Sequence, residues 1–428
     1  MIQRKKENLK MRNLIHVLFV LFSFIVFSCE EKQDNEVWPP NYSAEEPRPV
    51  ITKIYPDPAT SDQNAVSFAG VGIVYIEGQN FSSTVNGNRV HFDGKLGETL
   101  EASTTLLKVR MSNVWGDSVK VHVNSAGAIL YADYNGQHYY SPFRAKNAVP
   151  TYFAIDQDID VSGLAVDANE NVYVLTLEKK ILKISHPDSP AVEYGDAIFI
   201  VTPCMRIGPD SLIYMTRGTK SLYTVAEGGK TKKLISYNNN VAQIDFDENK
   251  NLFAGGKGET LEVLKNSDGT DETVAEYPGY TITALRVYDG YVYAAMKYNR
   301  LPGVDIDYDS TAVLEEIWRN QILDVDGNLG PNEHVFNWSG FVGENGPEIL
   351  SLTFDESGEM YIGQSRDEAI YMLNAGTYFY PQILDAPVTS LTWGNGNFLY
   401  INKHSDDPTV RTLVRVETTI NGAIYYGR

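Results

Sequence analysis

The 428-residue sequence contains only two cysteines, Cys29 and Cys204. Two cysteines cannot form the disulfide framework that holds small secreted modules together, so the fold has to depend on packed cores. Cys204 lies in an apolar stretch beside Pro203 and Met205. We therefore expect its thiol to be buried as a small hydrophobic group rather than to act as a nucleophile.

Sequence motifs of the common enzyme classes are also missing. No His-Glu-x-x-His, Gly-x-Ser-x-Gly or phosphate-loop pattern occurs. The seven histidines are scattered, and only His186, His334 and His404 lie in the C-terminal two thirds of the chain. We therefore expect a non-enzymatic protein without a resident cofactor. A lyase or hydrolase whose metal ligands converge from distant parts of the chain stays open as an alternative.

Positive charge is scarce. The chain has 36 Lys and Arg against 55 Asp and Glu, which gives a formal net charge of −19. An acidic surface repels phosphate backbones, so no nucleic-acid partner is expected. The hydrophobic content of 43% is that of a globular protein and argues against general disorder.

Only one long apolar run occurs, at residues 14–27, and it follows a basic segment at residues 1–12. A basic segment, a short apolar run and a small residue, Ser28, together predict a secretory signal peptide over residues 1–28. The apolar run is shorter than the roughly 20 residues that a comfortable membrane-spanning helix needs.

The end of this segment, Val26-Phe27-Ser28-Cys29, resembles the lipobox of bacterial lipoproteins. The resemblance implies that Cys29 becomes the acylated first residue and attaches the chain to the membrane through a lipid anchor. A plain signal peptide or a short anchor helix is the alternative.

Residues 30–36 are mostly acidic and resemble the signal that sends lipoproteins of Bacteroides-type bacteria to the outer face of the outer membrane. A solvated linker is the alternative interpretation. Residues 29–47, acidic and then proline-rich, are predicted to form an extended tether. The expected location is therefore the outer membrane, with the folded part facing the cell exterior.

The remainder of the chain is predicted to be all-β, because short runs rich in Tyr, Val and Ile alternate with Gly, Asn and Asp turns. Closely spaced short strands and turn residues predict a β-sandwich over residues 48–145. Residues 49–56, 74–81 and 90–94 resemble the IPT/TIG family of immunoglobulin-like modules, most specifically in Gly78-Gln79-Asn80-Phe81. That family implies a spacer, an interaction surface or a DNA-contacting domain. In this acidic, exported context we expect a spacer.

A repeat with a period of about 40 residues fills residues 150–428. Each repeat has an apolar strand, a polar turn and a strand centred on an aromatic residue, which is Tyr173, Tyr214, Phe253, Tyr293, Tyr361 or Tyr400. One longer gap indicates an insertion, at about residues 299–347. Six four-stranded blades account for the segment, which resembles NHL-type β-propellers. The Asp-containing turns are predicted to serve turn formation rather than function.

The insertion is the predicted binding site, because its two enlarged loops, 299–311 and 337–347, should project from the same face. Aromatic rings near Asp and Asn suit carbohydrate, and the candidate ligand-binding residues are Tyr298, Tyr308, Trp318, Trp338 and Phe341. The alternative is that these rings only pack the insertion against the propeller.

A weaker candidate in the same insertion is calcium. Asp305, Asp307 and Asp309 resemble part of a calcium-binding loop, but Ser310 stands where such a loop needs glycine. No metal site is therefore predicted, and calcium is kept only as a subordinate hypothesis.

A TIG-like module followed by an NHL-like propeller resembles the accessory surface lipoproteins of glycan-uptake systems in Bacteroides-type bacteria. The resemblance implies a non-enzymatic surface protein that captures extracellular polysaccharide. Two alternatives stay open: a protein–protein scaffold at the cell surface, and a propeller lyase or hydrolase with a metal in its channel.

Overall fold

The computed structural model of the chain describes residues 47–152 and 160–428. The predicted signal peptide, Cys29 and nearly all of the tether lie outside these residues. Within the described ranges, no helix is both long enough and apolar enough to cross a membrane.

The N-terminal domain is a β-sandwich of two sheets with strand orders β1-β3-β7-β6 and β2-β9-β8-β4-β5. Its strands are β1 (Val50–Pro56), β2 (Ser67–Phe68), β3 (Ile73–Gln79), β4 (Asn88–Phe92), β5 (Lys95–Leu96), β6 (Glu98–Ala102), β7 (Leu106–Arg110), β8 (Gly116–Ser125) and β9 (Tyr140–Lys146), with short 3-10 helices at Pro58–Thr60 and Val85–Gly87. Alternate residues of β8 point into the core, because Val119, Val121 and Val123 are all fully buried.

The bend after β3 explains the most specific part of the sequence pattern. Phe81 returns its ring to the core and is only 3% exposed. A side chain at position 78 would overlap this ring and the backbone oxygen of Val50, so only glycine fits there.

The C-terminal domain consists of six sheets arranged as propeller blades. Blades one to three contain β10 (Val161–Val166), β11 (Val172–Thr176), β12 (Lys180–Ile184) and β13 (Val192–Asp196), with β17 (Gly229–Lys230) added at the edge; β14 (Met205–Ile207), β15 (Ile213–Thr216), β16 (Thr219–Val225) and β18 (Lys232–Val241); and β19 (Gln243–Phe246), β20 (Leu252–Gly255), β21 (Thr260–Leu264) and β22 (Asp271–Glu276).

Blades four to six contain β23 (Tyr280–Tyr288), β24 (Tyr291–Tyr298), β25 (Glu315–Gln321) and β26 (Glu333–Asn337); β27 (Ile349–Phe354), β28 (Met360–Gln364), β29 (Ile370–Met372) and β30 (Thr377–Tyr378); and β31 (Ser390–Trp393), β32 (Phe398–Lys403) and β33 (Thr412–Glu417), with one short helix, α1 (Trp338–Val342), between blades four and five. The first strand of each blade contacts the first strand of the next, and β31 contacts β10, which closes the ring. The predicted all-β fold, an immunoglobulin-like sandwich followed by a six-bladed propeller, is confirmed.

The segment that connects the sandwich to the propeller pairs with the last strand of blade six. Thr151 pairs with Val414 on the outer edge of blade six, and the backbone N–H of Tyr152 donates to Leu413 O at 2.8 Å. Strand β9 ends at Lys146, so only residues 147–150 separate the last strand of the sandwich from this edge. The sandwich is therefore held close to blade six.

The predicted turn role of the aspartates is confirmed in blades one, two, three and five. The carboxylate of Asp355, for example, accepts the backbone N–H groups of Ser357 at 2.9 Å and Glu359 at 3.0 Å, and the hydroxyl of Tyr361 at 3.1 Å. Blade six has no Asp in this turn, and Tyr400 instead donates to Glu170 of blade one at 3.0 Å. The hydrogen bonds of these carboxylates stabilise the turns and the contact between blades one and six. The carboxylates are therefore not free to bind a ligand.

The C-terminal segment, residues 418–428, crosses the propeller face that carries these turns. Asn421 O accepts the N–H of Glu356 in blade five at 3.0 Å, and the Tyr425 hydroxyl donates to Ile207 O in blade two at 2.7 Å. Arg428 then donates to Trp393 O in blade six at 3.0 Å. The segment therefore closes the central channel at this end.

Candidate functional site

The two insertion loops lie beside each other on the face opposite the C-terminal segment. The N–H of Glu315, the first residue of β25, donates to Ser339 Oγ in the second loop at 3.3 Å. The N–H of Ile349, which follows the second loop, donates to Glu315 Oε1 at 2.9 Å. The insertion is thus a hydrogen-bonded pair of loops rather than two independent ones.

The aromatic residues proposed for ligand binding do not form one surface. Trp338 is fully buried, and its indole N–H donates to Pro347 O at 2.6 Å. Its ring packs near Phe336 and Tyr371 and fills the space between α1 and blade five. The prediction that Trp338 offers a ring face to a ligand is therefore wrong.

Tyr298 and Trp318 also serve packing. Tyr298 is 9% exposed, and its hydroxyl accepts the N–H of Asp309 at 2.6 Å. Trp318 is partly buried in the cluster between blades three and four. Its ring centroid lies 5.8 Å from that of His334, in an edge-to-face arrangement. Only Tyr308 and Phe341, 38% and 47% exposed, present rings to solvent. The alternative, that the rings pack the insertion against the propeller, is therefore correct for Tyr298, Trp318 and Trp338.

The three aspartates considered for calcium do not converge. Asp305 accepts the N–H of Leu301 at 2.6 Å, Asp307 pairs with Arg300 at 2.8 Å, and Asp309 accepts the N–H of Thr311 at 2.8 Å. Across residues 47–152 and 160–428, no three His, Cys, Asp or Glu side chains are grouped so that they could hold a metal ion. Neither the calcium hypothesis nor the channel-metal hypothesis gains support from these residues.

A small cleft of about 360 Å³ separates the insertion loops, with Glu315 on its wall and the Lys297–Glu348 ion pair, 2.6 Å long, at its rim. Glu315 is 6% exposed. Burial raises the pKa of its carboxyl group to about 7, against which the hydrogen bond from Ile349 acts only in part. A buried carboxyl group with such a pKa is protonated in mildly acidic solution.

This shift predicts a pH-dependent stability that Glu315→Gln removes. Between the ordinary carboxyl pKa of 4.5 and the native value of about 7, the native state keeps a proton that the unfolded chain releases, so stability falls as pH rises. Glutamine cannot ionise and keeps an oxygen for the Ile349 N–H. The free energy of unfolding of the variant minus that of wild type should therefore be up to about 3 kcal/mol larger at pH 8 than at pH 4.5. Denaturant unfolding at the two pH values measures it. Glu344→Gln, at an exposed position of the same cleft, is the control, and an unchanged pH slope in Glu315→Gln would contradict the assignment.

A larger cleft, of about 870 Å³, lies between the sandwich and the propeller. The sandwich wall comprises residues 59–60, 68, 70–71, 96–98 and 110–113, and the propeller wall comprises 361, 372, 377–383 and 418–420. Lys146 lies at the domain junction, where its ammonium group pairs with Asp62 of the sandwich at 2.8 Å and with Glu417 of blade six at 2.6 Å. The cleft is thus bounded by two domains whose relative position is held by a short connection and an ion-pair bridge.

Aromatic rings line the propeller wall. Phe379 and Tyr380 stack with ring centroids 4.0 Å apart, and Tyr378 precedes them on β30. Tyr380 and Gln382 have φ angles of 51° and 62°, which side-chain-bearing residues seldom adopt. Strained backbone of this kind concentrates in turns and ligand sites, and here it holds the loop that faces the sandwich.

Polar groups complete the cleft. Arg110 and Glu98 form an exposed ion pair on the sandwich wall, and Asn113 and Gln382 expose their amide groups. Flat rings beside amide and charged side chains match the chemistry of sugars, whose C–H faces are apolar while their hydroxyls need hydrogen bonds.

The sequence reasoning missed this cleft because it gave the sandwich only a spacing role. One signal was present, since Tyr378, Phe379 and Tyr380 are three consecutive aromatic residues. The partner wall, more than 260 residues earlier in the chain, carries no recognisable motif. Its Gly70 lets the two domains approach, because a side chain there would overlap Ile383.

Comparison with known protein families identifies residues 49–140 as an IPT/TIG domain. This match confirms the predicted resemblance of the N-terminal domain. No curated protein sequence matches the chain significantly.

Among solved structures, a putative phosphatase from Bacteroides thetaiotaomicron is similar with a TM-score of 0.51 at 11% identity, over 87% of this chain and 97% of that one. An auxiliary nutrient binding protein from the same species gives a TM-score of 0.44 at 10% identity, over 88% and 99%. A putative gluconolactonase gives 0.47 at 13% identity, over 65% and 96%. At these identities the similarity is one of fold.

Proposed function

We propose that the chain is a non-enzymatic surface lipoprotein that captures extracellular polysaccharide in the cleft between its sandwich and its propeller. In this proposal Cys29 carries the lipid anchor, the tether places the folded part outside the outer membrane, and the sandwich contributes one wall of the binding site. The proposal thus moves the binding site from the insertion loops to the domain junction.

The observation that carries the proposal is the interdomain cleft itself. Its volume of about 870 Å³ lies in the range of small-molecule sites and leaves room for several sugar units. Sites of this kind form preferentially at domain interfaces. The half-buried rings of Tyr378 and Tyr380 offer apolar surface, with the buried ring of Phe379 stacked on Tyr380, and the amides of Asn113 and Gln382 offer hydrogen bonds.

The charge of the protein narrows the ligand class. A net charge of −19 opposes the approach of polyanions, and the exposed Arg110 on the cleft wall is paired with Glu98. We therefore expect neutral polysaccharides to bind rather than uronic-acid polymers.

The test is native affinity electrophoresis of residues 30–428 in gels with and without each member of a polysaccharide panel, neutral and acidic. We expect slowed migration with at least one neutral polysaccharide, relative to a reference protein in the same gel. Unchanged migration with every polysaccharide would overturn the proposal.

A second candidate function, a protein–protein scaffold, is favoured by the first insertion loop. Its apolar side chains at Leu301, Val304 and Ile306 are 58%, 74% and 106% exposed. Adjacent exposed apolar side chains of this kind mark partner surfaces more often than isolated ones.

If this loop binds a partner protein, Ile306→Asp should abolish the interaction, because a charge at the centre of an apolar contact is costly to bury. The measurement is crosslinking on intact cells of the source organism, followed by purification of the chain. Val325→Asp is a matched control, since Val325 is 69% exposed on the opposite face. Equal crosslinking in both variants would exclude this loop as the partner surface.

A further inference from the structure

Three loops, residues 80–87, 102–106 and 125–139, lie at the end of the sandwich that is remote from the propeller. Strand β9 starts next to the third loop and ends at Lys146, where the sandwich meets the propeller. Backbone hydrogen bonds of 3.2 and 2.7 Å join the first loop to the second and to the third. The loops therefore form one continuous surface, the distal tip.

The distal tip is almost free of charge. The chain as a whole is 21% charged and acidic, yet residues 80–87 and 102–106 contain no Asp, Glu, Lys or Arg. Asp133 is the single such residue of the third loop, and Arg48 pairs with it at 2.8 Å. Large apolar side chains are exposed on the tip instead: Val85 37%, Leu106 38%, Ile129 59%, Leu130 52% and Tyr131 44%. Grouped apolar side chains without charges around them mark a contact surface.

The chain enters the sandwich at this same tip. Arg48 Nε donates to Tyr131 O at 2.8 Å, so the first described residues lie against the third loop. The predicted tether, residues 29–47, leads directly to this point and spans at most about 65 Å when fully extended. With Cys29 as the lipid anchor of the proposed function, the tip is the part of the folded protein that the tether holds beside the membrane.

The chemistry of the tip matches a lipid surface. The membrane interface accepts apolar side chains together with tyrosine, whose ring is apolar and whose hydroxyl stays at the level of the headgroups. An uncharged tip also avoids the repulsion that the rest of this acidic protein would meet at anionic headgroups. We propose that the distal tip rests on the lipid surface, with Ile129, Leu130 and Tyr131 inserted among the headgroups.

This inference rests on the lipid anchor of the proposed function and gives the sandwich an orienting role. The interdomain cleft lies at the other end of the sandwich, so it faces away from the membrane when the tip is docked. Three apolar side chains bind lipid too weakly to hold a free protein, but a short tether raises the effective lipid concentration into the millimolar range. Docking therefore requires attachment.

The test attaches residues 29–428 to phosphatidylcholine vesicles through a lipid with a maleimide headgroup. Cys29 reacts, whereas Cys204 is buried. Hydrogen–deuterium exchange is compared with that of protein whose Cys29 is blocked by N-ethylmaleimide and which is mixed with the same vesicles. The N–H groups of residues 129–131 have no acceptor among the described residues, so they exchange fast in free protein. We expect attachment to slow their exchange at least about fivefold and to leave residues 323–328 of blade four unchanged.

Two matched variants locate the contact. Leu130→Asp should abolish the slowing, because a charge is costly to insert among headgroups. Leu323→Asp, 59% exposed in blade four, should keep it. Melting curves verify that both variants fold, and the wild-type comparison decides independently of them.

Equal exchange in attached and blocked wild type would overturn the proposal. Slowing that persists in Leu130→Asp would overturn it too, since crowding on the vesicle would then be the cause. Slowing without vesicles that grows with protein concentration would assign the tip to a second copy of the chain instead. The lipid is supplied chemically and polysaccharide binding is measured on unattached protein, so failure of docking and failure of the proposed function give different results.

Discussion

Tyr380→Ala is expected to weaken polysaccharide binding at least tenfold, which in the affinity gel means a near-complete loss of retardation. Tyr380 stacks on Phe379 and lines the middle of the propeller wall of the cleft. Truncation of a central aromatic residue in a binding site commonly costs more than about 1.4 kcal/mol, which corresponds to a factor of ten in affinity.

Two control variants separate the candidate sites. Tyr380→Phe keeps the ring and should bind within about threefold of wild type. Phe341→Ala removes an insertion ring that is 47% exposed and should leave binding unchanged. The opposite result, loss with Phe341→Ala and full binding with Tyr380→Ala, would place the polysaccharide on the insertion loops. Melting curves of all three variants verify that they fold.

Trp338→Ala is expected to lower the free energy of unfolding by about 3–5 kcal/mol, the usual range for removing a large buried ring. The indole is fully excluded from solvent, and its N–H also donates a hydrogen bond to Pro347 O at 2.6 Å. Its loss leaves a cavity between α1 and blade five and an unpaired carbonyl oxygen. Guanidinium chloride unfolding measures the difference.

The neighbouring ring provides the matched comparison. Phe341→Ala, in the same helix but 47% exposed, should cost less than half as much. Folded Trp338→Ala protein should still bind polysaccharide with wild-type affinity, since Trp338 does not line the interdomain cleft. Weak binding by a Trp338→Ala variant of unchanged stability would contradict both the structural role of this residue and the position of the site.

The blade repeat was predictable because its causes are local. Asp355 and Tyr361 are six residues apart, and the hydrogen bond between them belongs to a single hairpin turn. The bend at Gly78 and the return of Phe81 to the core are local in the same way. Short-range chemistry of this kind leaves a pattern that can be read from the residues in order.

The proposed binding surface was not predictable from the same patterns. Aromatic residues in an insertion suit a ligand and a packed core equally well, and whether Trp338 is exposed depends on where α1 lies against blade five. Trp318 likewise points between blades three and four, which is decided by the side of β25 on which it falls.

The sequence by itself determined the all-β architecture, the sandwich followed by six blades and the acidic character of the surface. These properties follow from composition, from a period of about 40 residues and from turn chemistry within each repeat. Only the tertiary structure decided where a cleft lies between the domains and which charges meet. The interdomain cleft joins residues near 60 and 110 to residues near 380 and 420, and the channel brings Arg206, Asp245 and Arg286 onto one axis. Such contacts arise from the stacking of whole sheets and domains, which no local pattern in the chain records.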